Sequence, residues 1–190
     1  MEHAFPCGNV ALDFVGSLKA RRNAAPIEKL GAPSSLDSWF RESGVTHNDP
    51  GSTPADLQAA VTLREAIYSL VAARLWKTDY DDSALAIVNR AASNPPAVPT
   101  LTREGLVVQA TAEQALSTVA RVAIDILSGS DADLLKECGR PECTQVYIDR
   151  SRGSRREWCA METCGNKMKA AAYRARKRGN PPLAPARGPA

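Results

Sequence analysis

The sequence predicts a mainly α protein with a minor β component (α+β), in which a helical N-terminal body precedes a small four-cysteine finger. Three observations carry that expectation. Apolar residues recur at helical spacing in three segments before residue 130. Four of the five cysteines fall late in the chain as two Cys-x4-Cys pairs. The charge also divides. Residues 1–137 hold 12 Lys/Arg against 17 Asp/Glu, whereas residues 138–190 hold 12 against 4, so an acidic body carries a basic end.

From the N-terminus, Asn9 to Leu18 is mostly apolar and predicts a short buried helix or turn. Residues 19–34 mix basic, Gly and Pro residues and read as a loop. Ser35 suits the cap of a short helix through Leu36, Trp39 and Phe40 that stops near Gly44. The first long helix is expected from Pro54 to Lys77. Thr53 serves as its N-cap, proline stands at the first helical position, and Leu57, Val61, Tyr68, Val71 and Leu75 form its apolar stripe. A second helix fits Asp82 to Ala92 and is closed by the proline run at 95–99. Thr100–Thr102 and Leu106–Gln109 then flank a short Arg103-Glu104-Gly105 turn, the pattern of a β-hairpin. Thr111 and Gln114 match a capping box that opens a third helix, Ala112 to Leu127. Asp131 to Glu137 reads as one more short helix.

These elements give a helical domain over residues 1–134 with one hairpin near 100–110, a finger over 135–178, and a disordered Pro/Gly-rich tail over 179–190. No apolar run approaches the roughly 18 residues of a membrane span. The start of the chain lacks the basic and apolar regions of a secretory signal, which predicts a cytoplasmic protein. Its two histidines, His3 and His47, fall in segments expected to be irregular. No phosphate-binding glycine loop, nucleophile elbow or histidine-containing metal motif appears, so no enzyme activity is expected. Cys7, far from the other cysteines, reads as a core residue.

Cys138, Cys143, Cys159 and Cys164 have the general form of a closed structural metal site. Gly139 and Pro141 allow a sharp turn between the first pair. Gln145–Asp149 is β-prone, Arg150–Arg155 is a polar turn, and Glu157-Trp158 suits a returning strand. Lys167–Arg178 follows as a helix, giving a treble-clef-like order. Two disulfides, free buried thiols or an iron–sulfur centre would also use four cysteines. A reducing compartment disfavours disulfides, and four thiolates with no open position suit one structural Zn2+ per chain. A module of this size has too little apolar bulk to fold by burial alone, and metal binding would supply the difference.

The runs Tyr147-Ile148-Asp149-Arg150-Ser151, Arg156-Glu157-Trp158-Cys159-Ala160-Met161 and Cys164-Gly165-Asn166-Lys167 resemble the CGNR zinc-finger family. Asn9–Val15 and Leu36–Phe40 are similar to the ABATE domain that precedes this finger. The resemblance covers nearly the whole chain. It implies a bacterial, stress-linked transcription regulator that binds DNA through the finger. The family's motif ends in Arg, whereas this chain has Lys167, which keeps the charge but lacks the planar two-pronged donor.

The candidate nucleic-acid contacts are Arg150, Arg152, Arg155 and Arg156 in the finger's turn, together with Asn166, Lys167, Lys169, Arg174 and Lys177 on the last helix. Lys167, Arg174 and Arg178 fall on one side of that helix, Lys169 and Arg176 on another. Asn166, Gln145 and the arginines are the candidates for reading bases. The N-terminal body would then sense a small molecule or pair two chains into a homodimer. The alternative is a zinc-stabilised module that binds RNA or a protein.

Overall fold

The computed structural model describes residues 3–178. The expected tail at 179–190 lies outside them. Six helices and three two-stranded antiparallel ribbons follow in the order α1 (Val10–Val15), β1 (Leu18–Lys19), β2 (Ile27–Glu28), α2 (Pro33–Glu42), α3 (Pro54–Trp76), α4 (Asp82–Ser93), β3 (Pro99–Thr102), β4 (Gly105–Val108), α5 (Ala112–Ser128), β5 (Leu135–Glu137), β6 (Val146–Ile148) and α6 (Asn166–Lys177).

α1 is short and lies buried in the body. Residues Ala11 to Val15 are all buried, and Asn9 caps the helix by accepting from Ala11 N–H and Leu12 N–H at 2.9 and 3.3 Å. It packs on α3 and α5. Trp39 of α2 meets Phe14 edge-on at 5.0 Å between ring centres, with Phe40 and Phe5 at 5.9 and 6.0 Å. Offset and edge-on aromatic contacts of this kind add to the burial itself. α3, α4 and α5 pack on one another through small and aliphatic residues such as Ala60, Ile67, Val88, Val119 and Ala120.

Local signals set most helix ends. Thr53 and Asp56 form a reciprocal capping box at α3, and Thr111 and Gln114 form another at α5. α3 ends where Lys77 turns left-handed, at φ 57°. α2 departs from expectation by starting at Pro33 rather than being capped by Ser35. Proline suits the first helical position because it has no N–H to satisfy there, and Ala32 supplies no side-chain cap, its carbonyl accepting from Ser35 and Leu36 N–H. In the β3–β4 hairpin the turn is Arg103-Glu104, and Gly105 opens β4 at φ 126°. His47 accepts from Val108 N–H at 3.0 Å, and Asn48 bonds Ala110 on both sides, so the turn-rich segment pins β4 to the body.

Two segments form structure where none, or another kind, was expected. Residues 19–34 include the β1–β2 ribbon, which Arg64 holds against α3. Arg64 is 1% exposed, and its guanidinium grips Glu28 at 2.6 and 2.7 Å and also bonds Ser17 and Glu65. A charge so deeply buried requires such partners, and the ribbon provides the two-pronged one, Glu28. Residues 131–137 form a 3-10 turn (Ser130–Leu134) and then β5 instead of a helix. Strand pairing with β6, nine residues further on, overrides the local helical tendency.

The finger is joined to the body across a polar seam. Gln145 donates to Gly16 O at 2.8 Å, and the Cys7 thiol donates to Gln145 Oε1 at 3.1 Å. Burial first, then the Asp13 carboxyl beside it, pushes the Cys7 thiol up and keeps it a donor. A methyl at Gly16 would lie 2.1 Å from Gln145 Oε1. Gly16→Ala should therefore expel the Gln145 side chain and leave the Gly16 carbonyl and the Cys7 thiol without their partner, lowering stability by about 1–3 kcal/mol. Chemical denaturation checks this, and an unchanged midpoint would show that the seam tolerates the methyl. Asp13 is pushed up to about 6 by burial, against the hydrogen bonds it accepts from Cys7. A raised carboxyl favours the fold when protonated, so this contribution is full below the usual carboxylate value and is lost as pH rises to about 6. Asp13→Asn should remove that loss, so in zinc-replete buffer the denaturation midpoint of the variant gains on the parent as pH rises from about 4 to about 6 and then stays level.

Candidate metal centre and basic helix

β5 and β6 form the finger's ribbon, with Leu135 opposite Ile148, Lys136 opposite Tyr147 and Glu137 opposite Val146. Cys138 N–H donates to Gln145 O at 2.9 Å, which extends the ladder to the first cysteine. The chain then folds back through a tight turn in which Cys143 N–H donates to Arg140 O at 2.8 Å. The expected return strand at Glu157-Trp158 is not a strand. β5 takes that place beside β6, and Gly139 N–H reaches Glu157 O at 2.8 Å instead. The last pair follows from a π-turn, Met161–Gly165, that runs straight into α6. Cys164 sits in that turn. A Cβ at Gly165 would come within 2.5 Å of the Met161 sulfur and 3.1 Å of the Trp158 ring, so the turn needs glycine for space.

The four Sγ atoms of Cys138, Cys143, Cys159 and Cys164 lie within 4.8 Å of one another, and all four residues are buried. Two of the separations are 3.9 Å (Cys143–Cys159) and 3.6 Å (Cys159–Cys164). A tetrahedron with Zn–S near 2.3 Å has an edge of about 3.8 Å, close to both of these separations, so the four sulfurs suit one zinc ion. Without a cation the sulfurs compete for protons. Hydrogen bonds from Cys143 and Cys159 lower the Cys138 thiol, while Cys138 raises Cys143 and, with Cys143, raises Cys159. A divalent cation allows every sulfur to ionise. Four thiolates leave no open position, so the metal is structural.

Behind the sulfurs, Asp149 organises the finger's long loop. It accepts from Lys136 Nζ at 2.7 Å, from Ser151 N–H and Oγ at 2.9 and 2.6 Å, and from Arg156 N–H at 3.2 Å. Burial opposes its ionisation, but the Lys136 and Ser151 hydrogen bonds prevail and hold the carboxyl well below the usual range. This hub was missed in the sequence, although Asp149-x-Ser151 has the spacing of an Asx turn.

The candidate contact residues divide. Arg152 and Arg155 are exposed on the loop, and Arg150 is exposed but pairs with Asp131 at 2.5 Å. Arg156 turns inward. Its guanidinium lies 4.3 Å above the Tyr147 ring and donates to Trp158 O, Pro6 O and Cys159 O. Gln145 is buried in the seam, which removes it as a base reader. Asn166, Lys167, Lys169, Arg174 and Lys177 are exposed on α6, none of whose 12 residues is buried. Lys167 also lines a cleft of about 410 Å3 between finger and body, with Lys19, Ile27 and Arg140.

A helical body bolted to a closed four-cysteine finger with a projecting basic helix defines a zinc-finger protein. Residues 8–130 match the ABATE family, described as "Putative stress-induced transcription regulator", and residues 135–177 match the CGNR zinc finger. The chain belongs to the ABATE family and carries a CGNR zinc finger. No curated protein matches it. No helix among the described residues is long and apolar enough to cross a membrane.

The full chain should contain one zinc per molecule by elemental analysis. Excess chelator should abolish the finger's ordered structure, as zinc supplies on the order of 10 kcal/mol in such modules. Retention of protected amides in β6 and α6 after complete zinc removal would contradict this.

Proposed function

We propose that this protein is a cytoplasmic transcription regulator, linked to stress, that binds duplex DNA through its finger and uses the N-terminal body for sensing or for pairing two chains. The observation that carries the reading is α6: a helix with no buried residue, following directly on a cysteine of the cage, and free of carboxylates from Thr163 to Arg178. Lys167, Lys169, Arg174, Arg176, Lys177 and Arg178 are all exposed along it. Such a helix fits a major groove, and its cations would release counterions from phosphate. The exposed Arg152 and Arg155 would add to the same field.

A regulatory rather than catalytic role is supported by how the reactive side chains are used. The four cysteines face one another in one buried cage. His47 is engaged with β4, and His3 bonds Ser35 O at 3.1 Å.

The zinc-loaded chain should bind a duplex of about 20 base pairs with an affinity that falls steeply with salt. Five phosphate contacts give a log–log slope of about −4.5. Cys159→Ser should abolish binding. Fluorescence anisotropy across a salt series measures both. A flat salt dependence, or tighter binding to single-stranded RNA, would count against a duplex-binding regulator.

A further inference from the structure

We infer that α6 meets DNA with the face centred on Tyr173, and that this ring makes the helix's main non-ionic contact. The inference deepens the DNA-binding reading above and rests on it. With about 3.6 residues per turn, Asn166, Lys169, Arg176 and Lys177 all fall within about 60° of Tyr173 around the helix. Met168, Ala171 and Ala175 fall about 140–160° away and Ala172 about 100° away on one flank, and these four are the half-buried residues of α6. Burial and periodicity therefore agree on which way the helix faces. Tyr173 lies on the outward side of the helix and is 62% exposed.

The composition of that outer face identifies the partner. It presents three cations, one amide and one aromatic ring, with no carboxylate among them. The cations complement a polyanion. The amide can take paired hydrogen bonds to a base edge, and the ring offers an apolar surface to base edges and thymine methyl groups. Lys167, Arg174 and Arg178 lie on one flank, about 100–140° from Tyr173, where they would reach a phosphate backbone while the ring points into the groove. A protein partner would be expected to bury the ring against apolar neighbours on this face, and α6 offers only Ala170 there.

Ionic and non-ionic contacts separate by their salt dependence. Tyr173→Ala should weaken binding of zinc-loaded full-length protein to a 20-base-pair duplex by about tenfold while leaving the log–log salt slope unchanged. Tyr173→Phe should keep most of the affinity. Lys169→Ala should make the slope shallower by about 0.9. Alanine is the better helix former and the site is exposed, so the variant should fold, and its zinc content and helicity confirm that. If the parent binds duplex with a steep slope and Tyr173→Ala binds equally well, this inference fails and the DNA-binding reading stands. A Phe variant as weak as the Ala variant would overturn the contact through the ring. A parent that binds no duplex at low salt overturns both.

Discussion

Four thiol sulfurs held within 4.8 Å of one another resist full ionisation until a divalent cation sits among them, and the C-terminal quarter of the chain is arranged around that constraint. The ribbon β5–β6 delivers Cys138 and Cys143 from one tight turn. The π-turn delivers Cys164, and Gly165 lets it pack against Trp158 and Met161. Asp149 and Arg156 fasten the long loop between them, each through backbone groups. The metal does no chemistry in this arrangement. It sets the direction in which α6 leaves the cage.

That direction matters only if the finger is fixed to something, and the polar seam fixes it. One buried cluster runs from Leu12 and Phe14 through Val146 and Tyr147 to the cysteines. Gln145 occupies the space that a side chain at Gly16 would fill, and satisfies the Gly16 carbonyl and the Cys7 thiol together. Arg21 adds a backbone link to Thr144, and Arg22 pairs with Glu137. The body and the base of the finger therefore share one packed, hydrogen-bonded seam.

The basic helix was the plainest functional feature of the sequence, yet the meaning of its charges changed in three dimensions. Periodicity grouped Lys167 with Arg174 and Arg178 and set Lys169 with Arg176, but could not say which group faced outward. Packing of Met168 and Ala175 decides it. Arg156 and Gln145 carry the right chemistry for nucleic acid, but both are spent inside the protein. Arg150 faces water and is shared with Asp131.

By itself the sequence determined the features that depend on near neighbours in the chain. These are the capped helices α3 and α5, the β3–β4 hairpin, the four ligands and the basic run of α6. Caps, turns and ligand pairs are local, so composition and spacing record them. The tertiary structure alone decided the β1–β2 ribbon, the pairing of β5 with β6, the Gly16–Gln145 seam and the outward face at Tyr173. Each joins groups far apart in sequence or depends on what lies behind a helix. Arg64 shows the reason most clearly. It is one polar residue in an apolar stripe, and its place in the core follows only once Glu28, 36 residues earlier, is folded against it.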